Sequence, residues 1–188
     1  LVVALLLLSH RLVEGVLPGS QHTACGFVSA HDVRIYGIVD SLTHPGTSVF
    51  ERLQVPSRLS QPVQDRMADV ARRVIEGIGL DDCAFNIEFF YDARADEDPQ
   101  ADGRAPGGLG LLEINPRISQ SHGEIFGYVD GVADHQVMLD VALGEWPDPP
   151  RGKGPYAIAA KWYHRRFEDG YVERVPDEAT LRRIESEI

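Results

Sequence analysis

The chain has 188 residues, of which 43% are hydrophobic and 25% charged, enough to bury one sizeable core or two small ones. Its formal net charge of -11 at pH 7 argues against general binding to nucleic acid or to an anionic membrane, both of which call for a basic surface. Cys25 and Cys83 stand alone, with no CxxC or Cys/His cluster, so the sequence supports neither a disulfide framework nor a structural zinc site, and a reducing, cytoplasmic compartment is expected.

Residues 1–8 are an apolar run far below the roughly 20 residues that cross a bilayer, and no basic segment precedes them as in a signal peptide. Residues 11–16, 22–30 and 33–39 read as strands of an antiparallel meander, the first two separated by the turn at Leu17-Pro18-Gly19-Ser20. Residues 40–60 lack periodicity and carry Pro45, Gly46 and Pro56, which predicts a surface loop. From Ser60 onward Val63, Met67, Val70, Ala71, Val74, Ile75 and Ile78 form a helical stripe that ends near Gly77 or Gly79. Residues 83–92 alternate, with Phe85, Ile87, Phe89 and Tyr91 on one face and Asn86, Glu88, Phe90 and Asp92 on the other. An acidic, Gly- and Pro-rich stretch, 93–108, reads as a mobile hairpin loop joining neighbouring strands. Residues 130–143 return to helical spacing before the Pro147, Pro149 and Pro150 cluster, which marks a boundary: 1–145 as one unit, 146–188 as the start of a small C-terminal β-rich unit. That unit is expected to hold a hairpin, 156–164 with 171–175, then a helix from 177 whose spacing runs to Ile188, as if both chain ends were cut from a longer protein.

Leu109-Gly-Leu-Leu-Glu113-Ile-Asn115-Pro-Arg117 carries the chemistry. Strict alternation puts Leu109, Leu111, Glu113 and Asn115 on one face, and Pro116 ends the strand so that Arg117 stands at its mouth. If the strand around Glu88 pairs with this one, Glu88 lies across from Glu113, and two carboxylates so close need a cation between them. Hard oxygen ligands suit magnesium, with manganese as the alternative, and Arg117 offers a charged fork for a phosphoryl group. The plainer alternative is an exposed Glu113–Arg117 ion pair of small energetic value. Lys153 and Lys161 are the only lysines, and neither a P-loop nor a G-x-G-x-x-G is present, so phosphate-binding lysines would have to come from elsewhere.

Phe85-Asn-Ile-Glu88-Phe-Phe-Tyr followed by Leu112-Glu113-Ile-Asn115-Pro-Arg117-Ile-Ser-Gln-Ser-His122 resembles the C-terminal half of the ATP-grasp fold, over roughly residues 11 to 145. Residues 146 to 176 are similar to the tail of its peptide and amino-acid ligase branch. The resemblance implies an α+β fold, an antiparallel sheet with flanking helices, whose N-terminal subdomains lie upstream of this chain. It also implies that Glu88, Glu113 and Asn115 hold magnesium on ATP, that Arg117 steadies the transferred phosphoryl group, and that backbone around Glu14, Gly15, Val16 and Leu17 meets adenine. His22 falls where some members contact ribose, or is an ordinary strand histidine; Arg52 falls near a cation for the terminal phosphate, or is a solvated loop arginine. Ser119, Ser121 and His122 would bind a substrate carboxylate or amine, or cap the following helix. Ser121 stands in the neighbourhood where biotin carboxylase has a glutamate for bicarbonate, which disfavours biotin carboxylation. The implied function is an ATP-dependent carboxylate-amine ligase working through an acyl phosphate. Its alternatives are a carbamoyl phosphate synthetase or carboxylase-like enzyme, a nucleotide- and metal-binding piece without activity of its own, and an acidic interaction domain with a decayed site. Expected partners are small carboxylates and amines and the missing subdomains, with a homodimer open and neither nucleic acid nor membrane involved.

Overall fold

A computed structural model describes residues 2–7, 10–97 and 108–187. β1 (Val2–Leu7) and β2 (His10–Gly15) form a two-stranded antiparallel ribbon. The apolar opening of the chain is thus strand for most of its length. β3 (Ser20–Ser29), β4 (Asp32–Thr43), β5 (Phe50–Val55), β6 (Cys83–Tyr91), β7 (Leu109–Asn115) and β8 (Ala159–Trp162) make a six-stranded antiparallel sheet in the order β7-β6-β3-β4-β5-β8. The expected α+β class and antiparallel sheet with flanking helices are observed.

One face of the sheet is covered by α1 (Gln61–Ile78), which buries Val63, Met67, Ala71 and Ile75 against Ala24, Val28, Ile38, Phe85, Ile87 and Phe89. Each large apolar side chain removed from water there contributes about 2 kcal/mol. Ser60 holds the N-cap position in extended backbone, Pro62 sits in the first turn, and Gly79 closes the helix at φ 69°, a left-handed conformation suited to glycine. The other face carries α3 (Ile125–Val129) and α4 (Asp134–Ala142), whose Ile125, Phe126, Val129, Val137 and Val141 pack on Cys25, Phe27, Tyr36, Val39, Leu53 and Val55. Phe126 lies so close over Gly37 that a Cβ there would meet its ring at 2.1 Å.

Four expectations are corrected. Residues 40–60 are not one loop: β4 runs on to Thr43 and β5 follows, because Leu53 and Val55 find the core while Arg52 and Gln54 take the other face. The helix expected over 130–143 begins at Asp134, since Gly131 at φ 87° breaks the chain after the separate short helix α3. Tyr171 to Val175 is not a strand: it has no partner strand among the described residues, and Tyr171 is 98% exposed. Its hairpin mate β8 instead pairs with β5, and Gly154 and Tyr156 donate backbone bonds to Val129 and Tyr128, so this segment is built onto the main sheet. The fourth correction is a bulge in β7, described below. The acidic connection opens with a short helix, α2 (Ala93–Glu97); its residues 98–107 lie outside those described, and Asp92 N–H donates to Gly108 O at 2.9 Å where it returns. α5 (Glu178–Glu187) is the expected C-terminal helix.

Candidate functional site

β6 and β7 pair so that Asn86 opposes Asn115, Ile87 opposes Ile114 and Glu88 opposes Glu113, after which the register shifts and Phe89 opposes Leu111. Leu112 is the extra residue. The bulge reverses the alternation, so Leu109 and Leu111 share the α1 face with Phe89 and Ile114, not the face of Glu113 and Asn115 as strict alternation predicts. Glu88, Glu113, Asn86 and Asn115 remain together on the opposite face, with Gln21, Thr23 and Cys25 of β3 beside them.

The polar groups on this face are tied to one another. Gln21 Nε2 donates to Glu88 Oε2 at 2.7 Å, and Asn115 Nδ2 donates to Glu113 Oε2 at 3.1 Å and Asn86 Oδ1 at 3.3 Å. Asn86 Nδ2 in turn donates to the backbone carbonyl of Arg117 at 2.8 Å, fixing the chain where it leaves β7 beyond Pro116. Burial first, and then the charge of Glu113, push the Glu88 carboxyl above its ordinary range; the Gln21 bond and the Arg117 guanidinium act the other way. Two facing carboxylates, one half-buried and one exposed, repel each other, and a cation between them would offset that charge. Gln21 and Asn86 were missed as site residues; the signal was there in Asn86, a polar residue buried mid-strand among aromatics.

The turn before β3 borders the same face. Leu17 covers Gly110, where a Cβ would meet its side chain at 2.8 Å, and Gly19, at φ 103°, lets the chain press against Tyr91 O. Gly110 opposes Phe90 and lies on the Glu88 side, so Leu17 and the carboxylate pair are separated along β6 by about 7 Å, two residues of rise. Val16 is half exposed; Glu14 and Gly15 pair with Val3 and Val2 in the ribbon.

Other expected residues stand apart. His22 lies on the α1 face, buried, with Asp40 Oδ1 at 2.9 Å from Nδ1 and Ser20 Oγ at 2.7 Å from Nε2. Arg52 is on β5, four strands from β7 and about 19 Å across the sheet, on the α1 side and stacked 4.6 Å from the Trp162 ring. Ser119 Oγ accepts from Ser121 N–H, and Ser121 O faces Tyr163 Oη at 3.5 Å; this turn precedes α3 but does not cap it, Glu124 holding the cap position. His122 is buried, its Nδ1 3.8 Å from Cys25 Sγ, and burial pushes its imidazole down to about 4. No helix among the described residues is long and apolar enough to cross a membrane.

No family model matches the chain, and no curated protein matches it. Solved structures do. An L-amino acid ligase from Bacillus licheniformis superposes with a TM-score of 0.66 at 15% identity, covering 83% of this chain and 36% of its own. An N5-carboxyaminoimidazole synthase from Aspergillus clavatus, in complex with ADP and the aminoimidazole ribonucleotide, gives 0.57 at 16% identity over 76% and 34%. A biotin carboxylase from Campylobacter jejuni, as a β,γ-ATP complex, gives 0.57 at 19% over 73% and 28%. The chain therefore spans about a third of the length of each. At these identities the likeness is one of fold, and the fold of this chain is that of the part of the ATP-grasp enzymes it covers.

Proposed function

We propose that this chain is the Mg-ATP-holding part of an ATP-dependent carboxylate-amine ligase that works through an acyl phosphate. The observation that carries the reading is the direct pairing of Glu88 with Glu113 on the sheet face that Leu17 borders, with Arg117 just past the strand end. The two carboxylates and the amide oxygen of Asn115 fit magnesium, and manganese as its substitute, because the donors are hard oxygens and the Glu88 carboxyl is pushed up first by burial and then by a neighbour whose charge a cation offsets. When bound, the ion neutralises charge on the phosphate oxygens.

The remaining work falls to the chain's own side chains. Leu17 offers an apolar wall for adenine about 7 Å along the strands from the carboxylates. Arg117, its backbone held by Asn86, brings a planar guanidinium to the phosphoryl oxygens. A substrate carboxylate oxygen attacks the terminal phosphorus, ADP leaves, the amine attacks the acyl carbon, and phosphate departs. Catalysis in this scheme is positioning and charge neutralisation. The proposal takes small carboxylates and amines as substrates and a cytoplasmic setting, and it keeps the remaining subdomains as the source of phosphate-binding lysines. Lys161 supports that last point, being paired with Glu124 at 2.9 Å.

The test is phosphate release from ATP that depends on both a carboxylate and an amine, in the protein that contains this chain. Glu113→Gln and Arg117→Ala should each abolish it; release undiminished in both variants overturns the reading. Calorimetry with Mg-ATP on the isolated chain separates a self-sufficient site from one that needs the other subdomains.

A further inference from the structure

Beneath α3 and α4, on the far side of Asn86 from the carboxylate pair, lies a second group of chemically active side chains. Cys25 of β3, His122 of the loop between Arg117 and α3, and Asp134 at the start of α4 each turn a donor atom inward, and the three atoms lie within 4.8 Å of one another. All three residues are buried, Asp134 to 1% exposure. Asp134 Oδ1 and the buried Tyr36 Oη each lack a partner in good hydrogen-bond geometry, although the Tyr36 hydroxyl stands near enough to the Asp134 carboxyl to bond it weakly. A carboxyl oxygen so poorly satisfied in a protein interior is costly, up to about 1–3 kcal/mol where no bond forms at all, which favours a group that satisfies it.

We propose that Cys25, His122 and Asp134 form a zinc site, with Tyr36 Oη placed as a fourth oxygen. The donor set decides the metal: one sulfur, one imidazole nitrogen and one carboxylate oxygen suit zinc, whereas magnesium and calcium take oxygens alone. Charge decides it too. A thiolate and a carboxylate sum to -2, the imidazole is neutral, and a divalent ion makes the buried group neutral overall, the one state that burial favours. Donors on one tetrahedral zinc stand about 3.4 to 3.6 Å apart, so the 3.8 Å between Cys25 and His122 is nearly in place and the widest separation closes by about 1 Å through side-chain rotation. Burial keeps the His122 imidazole in its neutral, ligating form and raises the Cys25 thiol and, to about 7, the Asp134 carboxyl, so uptake releases protons. Spacing hides the site from the sequence, since its members sit on three separate elements. Its role is positional: it would pin the loop that follows Arg117 to the middle of the sheet.

Cobalt is the probe, loaded by refolding the chain with Co2+ in excess Mg2+, which occupies oxygen-only sites. The expected result is one cobalt per chain with a thiolate-to-cobalt charge-transfer band, lost in Cys25→Ser, and an affinity lowered about 100-fold or more in His122→Gln and Asp134→Asn, beyond the cost of losing an outer partner of a metal ligand. Absence of that band in the unaltered chain overturns the proposal without recourse to any variant. So does a band that survives Cys25→Ser, or unchanged affinity in the other two variants when circular dichroism shows them folded.

Discussion

Replacing Glu113 by Gln removes one of two like charges that face each other across β6 and β7, and it should make the metal-free protein more stable while removing the proposed cation site. Directly opposed side chains in an antiparallel pair stand about 5 Å apart. Two unit charges at that distance repel by ~0.8 kcal/mol in water and by ~3 kcal/mol at an effective dielectric of about 20. Glu113 is exposed and Glu88 only half-buried, so the lower end applies and the expected gain is about 1 kcal/mol. Gln keeps the oxygen that accepts the Asn115 bond, so little else changes. The assay is urea unfolding in EDTA at pH 7.5 and low salt for the unaltered chain, Glu88→Gln, Glu113→Gln and the double variant, with the coupling taken from the cycle. The coupling should be repulsive, should shrink at high salt, and should give way to a stability gain on adding Mn2+ that only the unaltered chain shows. A coupling that is zero or attractive at low salt refutes the argument that these carboxylates face each other.

Gly37→Ala should destabilise the chain by about 1–3 kcal/mol, because its Cβ would stand 2.1 Å from the Phe126 ring, and Phe126→Leu in the same chain should recover part of the loss; urea midpoints of the single and double variants check it. Gly110→Ala puts a Cβ 2.8 Å from the end of Leu17, a flexible side chain, so the fold should hold while Mg-ATP affinity measured by calorimetry falls several-fold, and Leu17→Ala in addition should not restore it if Leu17 itself walls the adenine. Asp40, although burial acts to raise it, is held below its ordinary range by His22, Ser57 Oγ and the Arg58 N–H, so the folded state binds its proton less tightly than the unfolded state. Its contribution is therefore present above the unfolded value and is lost as pH falls through the folded one; Asp40→Asn should cost stability at pH 7 and converge with the unaltered chain in acid.

The parts of the fold that could be read from the residues are those whose pattern matches a single environment. β6 alternates because Ile87 and Phe89 meet α1 while Asn86 and Glu88 meet the other face, and α1 shows its stripe because one side is in water. Other parts depend on what lies across from them. Leu111-Leu112 gives no sign of a bulge, since two leucines look alike on either face; only the partner strand reveals which is extra. Tyr171 to Val175 has strand-forming residues but no partner, and β5, with Glu51, Arg52 and Gln54 along it, reads as loop until β4 and β8 flank it. The pairing of Glu88 with Glu113 was legible because the two sit on adjacent strands, with Asn115 at fixed spacing along β7 and Arg117 just past its end. The neighbourhood of Cys25, His122 and Asp134 was not, because it is assembled from three elements far apart in the chain.

Asn86 connects these two regions. Its amide oxygen accepts from Asn115 on the carboxylate side, its amide nitrogen donates to the Arg117 carbonyl, and its β3 partner is Cys25. A buried residue 2% exposed with both ends of its amide engaged has one arrangement available, so the loop that carries Arg117 and His122 is tied to the sheet at the point where the carboxylate pair and the cysteine meet. Asn86→Asp keeps the shape but turns the donor into an acceptor facing the Arg117 carbonyl. It should therefore lower the proposed phosphoryl transfer through displaced Arg117 while leaving the Glu88–Glu113 coupling intact, and loss of that coupling in the variant would show that Asn86 holds the strand pairing itself rather than the loop.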